Sequence, residues 1–149
     1  MELSPQAVLE TSLYVNDLDR ALAFYEGVLG LRRIEDGYFA GGRGAALQVG
    51  HGPSVLLLFR ADITRAGGEL PAHGTTGAGH LAFRVEPDDL PLWRQRLRER
   101  GVPIEREFAF GDHPPSIYFR DPDGNSLELA VAEIWALREK SLVRQDERK

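Results

Sequence analysis

The sequence predicts an α+β fold in which two βαβββ units form a curved mixed sheet around a cleft. Each half of the chain has the same order of elements, a strand, a helix and then three strand candidates. Similar residues also recur at a fixed separation, because Val85 and Ile104 each lie 70 positions after Val15 and Ile34. This repetition indicates an internal duplication. The length of 149 residues suits one domain, and we expect a single domain over 1–149.

The first unit is predicted to span about residues 8–60. Val8–Val15 has the composition of a strand, and a helix from about Asp17 to Leu29 follows it. Gly30 provides the C-terminal stop of that helix. Three short apolar segments then predict strands: Leu31–Tyr38, Ala45–Val49 and Ser54–Arg60.

The second unit is predicted over about residues 80–131. It opens with a strand at Leu81–Val85, and a helix from about Asp88 to Arg100 follows, with Asp88 as its cap. Pro91 is compatible with that helix because it falls in the first turn. Strands are expected at these segments: Ile104–Ala109, Ser116–Arg120 and Ser126–Val131.

Two segments lie outside the repeated units. Residues 61–79 are rich in glycine and proline, which predicts either a crossover arm between the units or a lid over a site. The tail, residues 132–149, contains a possible helix around Ile134, Leu137 and Lys140.

Composition narrows the function classes. The net charge of −5 argues against nucleic acid as a partner. The chain has no cysteine, which excludes disulfides and thiolate sites and favours a reducing compartment. The N-terminus lacks the features of a signal peptide, and the longest apolar run, Val55–Phe59, is too short to cross a membrane. We therefore expect a cytoplasmic protein that does not bind membranes.

Ionisable side chains fall on the strand faces opposite the apolar rows. Alternation along a strand puts Glu10 on the face opposite Leu13, and puts His80 and Glu128 opposite the apolar residues beside them. If these faces meet on the concave side of the sheet, one imidazole and two carboxylates make a site for a divalent ion. Three protein ligands leave coordination positions open for water and substrate, as catalysis requires.

Further polar residues could serve such a site. Tyr118 could hydrogen-bond a substrate oxygen, and His113 is a possible acid or base. Arg84 could meet an anionic substrate, but a pairing with an acidic neighbour is at least as plausible. His73, within the flexible linker, is more consistent with a surface loop than with a site.

Three motifs resemble a known superfamily. Glu10–Leu31 is similar to the opening unit of the vicinal-oxygen-chelate proteins, which include glyoxalase I, fosfomycin- and bleomycin-resistance proteins and type I extradiol dioxygenases. Gly79–Val85 resembles the opening of the second unit, and Tyr118–Leu129 resembles its closing hairpin. The resemblance covers about residues 8–131 and implies a glyoxalase-like fold.

The resemblance also implies a function. It suggests a homodimer that acts on a small molecule with adjacent oxygens and uses one divalent ion: Fe, Mn, Ni, Co or Zn. Family ligand positions correspond to Glu10, His80, Glu128 and Leu58, or its neighbour Leu57. The missing acidic residue at Leu58 argues against lactoylglutathione lyase activity, and dioxygenases have histidine where Glu10 stands. A dioxygenase or a lyase or isomerase is expected, and the alternative is a metal-free drug-binding protein of the bleomycin-resistance type.

Overall fold

The computed structural model describes residues 3–34 and 42–135, which fold into eight strands and three α-helices. The first unit comprises β1 (Glu10–Val15), α1 (Leu18–Gly27), β2 (Arg32–Ile34), β3 (Gly44–Gln48) and β4 (Val55–Arg60). The short helix α2 (Ala61–Thr64) begins the linker. The second unit comprises β5 (His80–Arg84), α3 (Leu90–Glu99), β6 (Arg106–Phe108), β7 (Ser116–Arg120) and β8 (Ser126–Ala130).

The strands form two mixed sheets with the same connectivity. The first sheet has the order β1-β4-β3-β2, and the second has the order β5-β8-β7-β6. In each sheet the first and last strands of the unit pair in parallel, and the remaining pairs are antiparallel. The predicted α+β class with two βαβββ units is therefore confirmed. The strands are divided between two separate four-stranded sheets.

The strand register refines the predicted duplication. Ser12 pairs with Leu57 in the first sheet, and Ala82 pairs with Glu128 in the second. The residue that corresponds to Glu128 is therefore Leu57, the second of the two positions given by the sequence, and not Leu58. The Leu58 side chain lies on the opposite face of the strand and is fully buried in the core, with 0% exposure. The separation of 70 between Ser12 and Ala82 is not kept between Leu57 and Glu128, because the connecting segments of the two units differ in length.

One apolar core joins both units. Leu13 and Leu58 of the first sheet, Leu127 of the second and Tyr25 of α1 belong to the same buried cluster.

The backbone N–H of Arg20 donates to Asp17 Oδ1 at 2.9 Å, so Asp17 caps the N-terminus of α1. The helices α1 and α3 pack on the inner faces of the sheets, and neither covers the opposite, open faces.

The start of α3 differs from the prediction. Asp88 does not cap it, because Pro87–Asp89 forms a 3₁₀ turn and α3 begins at Leu90. Asp89 occupies the cap position without a side-chain hydrogen bond. The proline at the second helical position, Pro91, is accommodated as expected, since its missing N–H would have no intrahelical partner there.

The linker and the tail are mostly irregular. After α2 the linker continues as turns and loop to Gly79. A 3₁₀ turn at Ala132–Trp135 follows β8. The predicted helix around Ile134, Leu137 and Lys140 falls largely outside the described residues. No helix within 3–34 and 42–135 is long and apolar enough to cross a membrane.

Candidate functional site

The open face of the second sheet carries most of the predicted site. This face, opposite the core, includes His80, Ala82, Arg84, Tyr118, Ser126 and Glu128. These residues share one face because side chains alternate along a strand. The residues between them, Phe83, Leu127 and Leu129, point the other way and are buried in the core. Parallel pairing of β5 with β8 brings His80 and Glu128 side by side.

His80 and Glu128 are in direct contact. Their Nε2 and Oε2 atoms lie 3.3 Å apart. The Glu128 side chain is only 8% exposed, and its other oxygen, Oε1, has no hydrogen-bond partner among the described residues. A buried carboxylate oxygen without a partner is costly, and it is the kind of atom that a cation would stabilise. The geometry therefore fits a cation at this carboxylate.

The second nitrogen of His80 fixes the orientation of the ring. His80 Nδ1 lies 3.0 Å from the carbonyl oxygen of Ser126. A carbonyl can only accept, so Nδ1 carries the hydrogen, and the Nε2 of a neutral ring presents its lone pair to Glu128. The imidazole lone pair and the carboxylate therefore face each other at 3.3 Å, an arrangement that a cation between the two atoms would stabilise. Histidine ligands in proteins are oriented by such backbone bonds.

Tyr118 lies beside this pair. Its ring stacks near that of His80, with centroids 6.3 Å apart, and β7 pairing places it next to Glu128. Burial, together with interaction with the Glu128 carboxylate, raises the pKa of Tyr118 above its ordinary value of 10.0. The hydroxyl therefore stays protonated and can donate a hydrogen bond to a ligand oxygen.

Replacing Tyr118 by phenylalanine is expected to change how stability depends on alkaline pH. The pKa of the tyrosine is higher in the folded state, so its un-ionised form stabilises the fold below pH 10.0 and this contribution is lost as the pH rises. The native chain should lose stability relative to Tyr118→Phe above that pH. Denaturant unfolding of both chains across alkaline pH measures this, and parallel curves would contradict the assigned environment.

Glu10 lies on the other sheet. Its strand β1 pairs with β4, and the exposed Glu10 side chain borders a cavity on the open face of the first sheet. Across residues 3–34 and 42–135, no three His, Cys, Asp or Glu side chains form a group that could hold a metal ion. A single chain thus brings His80 and Glu128 together and leaves Glu10 apart, because the two open faces belong to separate sheets.

The remaining candidate residues have simple surroundings. Arg84 Nη2 donates to Glu86 Oε1 at 3.2 Å, which agrees with the predicted pairing to an acidic neighbour. His113 lies in an exposed loop between β6 and β7, where its backbone N–H donates to the Phe110 carbonyl at 3.2 Å. Its role as an acid or base stays a prediction.

His73 has contacts that the sequence did not indicate. Its Nδ1 and the Tyr14 hydroxyl are joined by a hydrogen bond of 2.7 Å, and its ring packs edge-on against Phe59 at 4.8 Å between centroids. The residue is exposed and belongs to the linker, as predicted, but it is attached to the first sheet. Only the course of the linker could reveal this, because Tyr14 is 59 positions away.

The closing hairpin before Glu128 is held by Asp121. Its Oδ2 accepts from the Tyr25 hydroxyl at 2.7 Å, and its Oδ1 accepts from the backbone N–H groups of Asp123 and Asn125, each at 2.9 Å. Asn125 Oδ1 in turn accepts from the Gly79 N–H at 2.8 Å. This network fixes the starts of β5 and β8, and therefore the relative position of the His80 and Glu128 strands.

Comparison with protein family models shows which family the chain belongs to. Residues 7–129 match the model of the Glyoxalase/Bleomycin resistance protein/Dioxygenase superfamily. The chain belongs to this superfamily. The match covers both βαβββ units and includes all three candidate ligands.

Superfamily members of different activity are similar to the chain. It is 34% identical to the metallothiol transferase FosB of Shouchella clausii over 85% of its own length and 83% of the transferase. It is 33% identical to the catechol-2,3-dioxygenase of Bacillus subtilis, over 78% of the chain but only 38% of the dioxygenase. The crystal structure of the lactoylglutathione lyase from Agrobacterium tumefaciens superposes with a TM-score of 0.82 at 31% identity, covering 91% of the chain and 100% of the lyase. These superfamily members do not share one reaction.

Proposed function

We propose that the chain is a divalent-metal enzyme that acts on a small molecule with two adjacent oxygens. The observation that supports this best is the buried Glu128 carboxylate, whose Oε1 lacks a partner among the described residues while Oε2 lies 3.3 Å from the His80 Nε2. A metal bound by both side chains would satisfy the carboxylate and the imidazole lone pair at once. A metallothiol transferase and a dioxygenase among the relatives support the same reading.

The third ligand of the proposal is Glu10 from a second copy of the chain. Within one chain Glu10 lies on the open face of the first sheet, and the His80–Glu128 pair lies on that of the second. In a two-fold dimer the first sheet of one copy can face the second sheet of the other, which creates two equivalent sites. The proposal is thus a homodimer with both sites at the subunit boundary, in the cytoplasm.

The side chains around the pair define the chemistry. A bound divalent ion would supply Lewis acidity and stabilise an enolate or oxyanion as it forms. The protonated Tyr118 hydroxyl would donate to a substrate oxygen, and a carboxylate released from the ion could remove a proton. Iron would favour oxygen-dependent cleavage of a dioxygenase type, and the other divalent ions would favour a lyase or isomerase reaction. Leu57 occupies the position of the first sheet that corresponds to Glu128 in the second. An apolar side chain at this position argues against a lactoylglutathione lyase.

Mixing two defective variants tests whether the ligands come from two copies. Glu10→Gln and Glu128→Gln chains should each hold almost no metal alone. Random exchange of subunits makes about half of the dimers mixed, and each mixed dimer contains one intact ligand set. The mixture should therefore recover about a quarter of the native metal content per chain. Elemental analysis after desalting measures it.

The matched control is a mixture of Glu10→Gln and Glu10→Gln, His80→Ala chains, which contains no intact ligand set in any arrangement. It should recover no metal. If the first mixture also recovers none although subunits exchange, Glu10 does not act across the dimer. If Glu10→Gln alone retains the native metal content, Glu10 is not a ligand.

The alternative function is metal-free binding of a small molecule, as in bleomycin-resistance proteins. It is favoured by the apolar open face of the first sheet, where Ala46, Leu57 and Phe59 form a buried cluster of their own. Purified native chain that holds no metal and gains none on dialysis against Mn²⁺, Fe²⁺, Ni²⁺, Co²⁺ or Zn²⁺ would support this alternative.

A further inference from the structure

The loop that joins the last two antiparallel strands differs between the two units. Residues 49–54 join β3 to β4, and residues 121–125 join β7 to β8, so the two loops are equivalent. The second loop is bound to the first unit, because the backbone N–H of Asn16 donates to Asp123 Oδ1 at 2.8 Å. The first loop makes no hydrogen bond to the second unit within the part of the chain that the structure describes. The second loop therefore closes its side of the junction between the units, whereas the first does not.

A cavity of about 410 Å³ lies where the first loop faces the second unit. Side chains from both units form its apolar lining: Leu31, Val49, Phe83, Trp93 and Leu129. Phe83 and Leu129 belong to the core face of the second sheet, so the cavity lies on the face opposite His80 and Glu128. A cavity of this size is within the range of small-molecule sites.

The polar part of the lining favours an anion. It includes Arg32 and Arg84, and no acidic side chain lines the cavity among the described residues. Arg32 Nη2 donates to Gln48 Oε1 at 2.8 Å, and Arg84 Nη2 donates to Glu86 Oε1 at 3.2 Å. A guanidinium has five N–H donors, so each arginine retains donors for an anionic ligand.

The second loop shows which group the first loop lacks. Asp121 directly follows β7, and its Oδ1 accepts from the backbone N–H of Asp123 at 2.9 Å. At the equivalent positions the first loop has Val49, directly after β3, and His51. Val49 has no side-chain acceptor, and the His51 N–H donates to no residue that the structure describes. A carboxylate from a ligand could accept from this N–H, as the Asp121 carboxylate does in the second loop.

We propose that this cavity is a second small-molecule site, which binds an aromatic carboxylate with its ring between the units and its carboxylate at the first loop. The ring packs against Phe83 and Trp93. The carboxylate accepts from the His51 N–H, close to the arginines of the lining. A molecule bound there contacts both units, as the loop 121–125 does on its own side of the junction. The site needs no metal, because it lies on the core face of the second sheet.

Calorimetric titration of the metal-free full chain with 2-naphthoate tests this site. The probe has fused aromatic rings and one carboxylate. We expect saturable binding of one probe per chain, and binding about tenfold weaker or less for 2-naphthamide, which has no charge. Val49→Asp gives the first loop the carboxylate that the second loop has, and it should weaken 2-naphthoate binding about tenfold or more.

Val49→Asn is the matched control, because asparagine has the shape of aspartate without its charge. It should bind 2-naphthoate within about threefold of the native chain. Arg32→Gln, at an exposed position, should weaken binding about threefold, whereas Arg33→Gln, on the other face of β2, should not change it. Circular dichroism and thermal unfolding verify that each variant folds.

Two further variants separate this site from those described above. Ala46→Phe fills the cavity on the open face of the first sheet, and Glu128→Gln removes a proposed metal ligand. Both should bind 2-naphthoate like the native chain. Binding in Glu128→Gln distinguishes this inference from the proposed metal function, because it should persist even if no metal ever binds.

Three results would overturn the inference. The first is equal affinity for 2-naphthamide and 2-naphthoate, since the carboxylate would then contribute nothing. The second is undiminished binding in folded Val49→Asp with loss of binding in Ala46→Phe, which would assign the probe to the open face of the first sheet. The third is a sedimentation change from dimer to monomer in Val49→Asp with unchanged probe binding, which would make the cavity a subunit contact.

Discussion

Glutamine in place of Glu128 is expected to abolish stoichiometric metal binding and, at the same time, to stabilise the metal-free protein. Metal should fall from about one ion per chain to less than about a tenth, because the amide removes the charge that the ion needs. Catalytic turnover, once the substrate is known, should fall with it. Elemental analysis of the purified variant, after dialysis against the native metal, measures the first effect.

The gain in stability distinguishes a functional carboxylate from a structural one. Without metal, the native Glu128 side chain is 8% exposed and its Oε1 has no partner among the described residues. A neutral amide of the same shape avoids the cost of burying that charge, so the free energy of unfolding should rise by about 1 kcal/mol at about pH 8. Urea unfolding of both metal-free chains gives this difference.

Glu107→Gln is the matched control, because Glu107 is also a strand glutamate of the second sheet. Its side chain is 38% exposed and pairs with Arg94 on the surface. It should keep its metal and change stability by less than about 0.5 kcal/mol. If Glu128→Gln instead retains metal, or unfolds more easily than the native metal-free chain, Glu128 is a structural residue and the proposed site loses its main support.

Removing the Asp121 carboxylate is expected to lower the free energy of unfolding by roughly 3–5 kcal/mol. Asp121 is 5% exposed and accepts four hydrogen bonds, two at each oxygen. Alanine would leave the donors of Tyr25, Asp123 and Asn125 without their acceptor, and buried donors that lose an acceptor are costly. The Tyr25 hydroxyl is the most affected, since it lies in the common core.

Denaturant unfolding of Asp121→Ala measures the loss, and Asp112→Ala serves as its control. Asp112 lies in the exposed loop between β6 and β7, where its substitution should cost less than about 0.5 kcal/mol. The network also supports the site, because Asn125 links Asp121 to Gly79, which precedes His80. A loss below about 1 kcal/mol in Asp121→Ala would show that the hairpin does not depend on this carboxylate.

Much of the architecture could be predicted from the sequence because it depends on local patterns. Alternation of apolar and polar residues predicted the strands and their faces, and helical spacing with Asp17 and Gly30 predicted α1. The same patterns, together with the repeated βαβββ order, placed His80 and Glu128 on strand faces that can converge. Two neighbouring parallel strands of known face leave little freedom for the side chains on that face.

Other features depended on distances between segments that no local pattern encodes. The alternation placed Glu10 on an open face but could not tell that this face belongs to a separate sheet. Counting along the chain could not distinguish Leu57 from Leu58, because a difference in the length of the connecting segments changes the alignment while hydrogen-bond register determines the true partner.

The sequence by itself determined the order of elements, the polarity of each strand face and the identity of the ionisable residues. Tertiary structure alone decided which of those residues meet: His80 with Glu128, Tyr14 with His73, and Glu10 with neither pair. The physical reason is that backbone propensities and side-chain periodicity act over a few residues, whereas a site is made where the packing of distant segments excludes water and brings their side chains together.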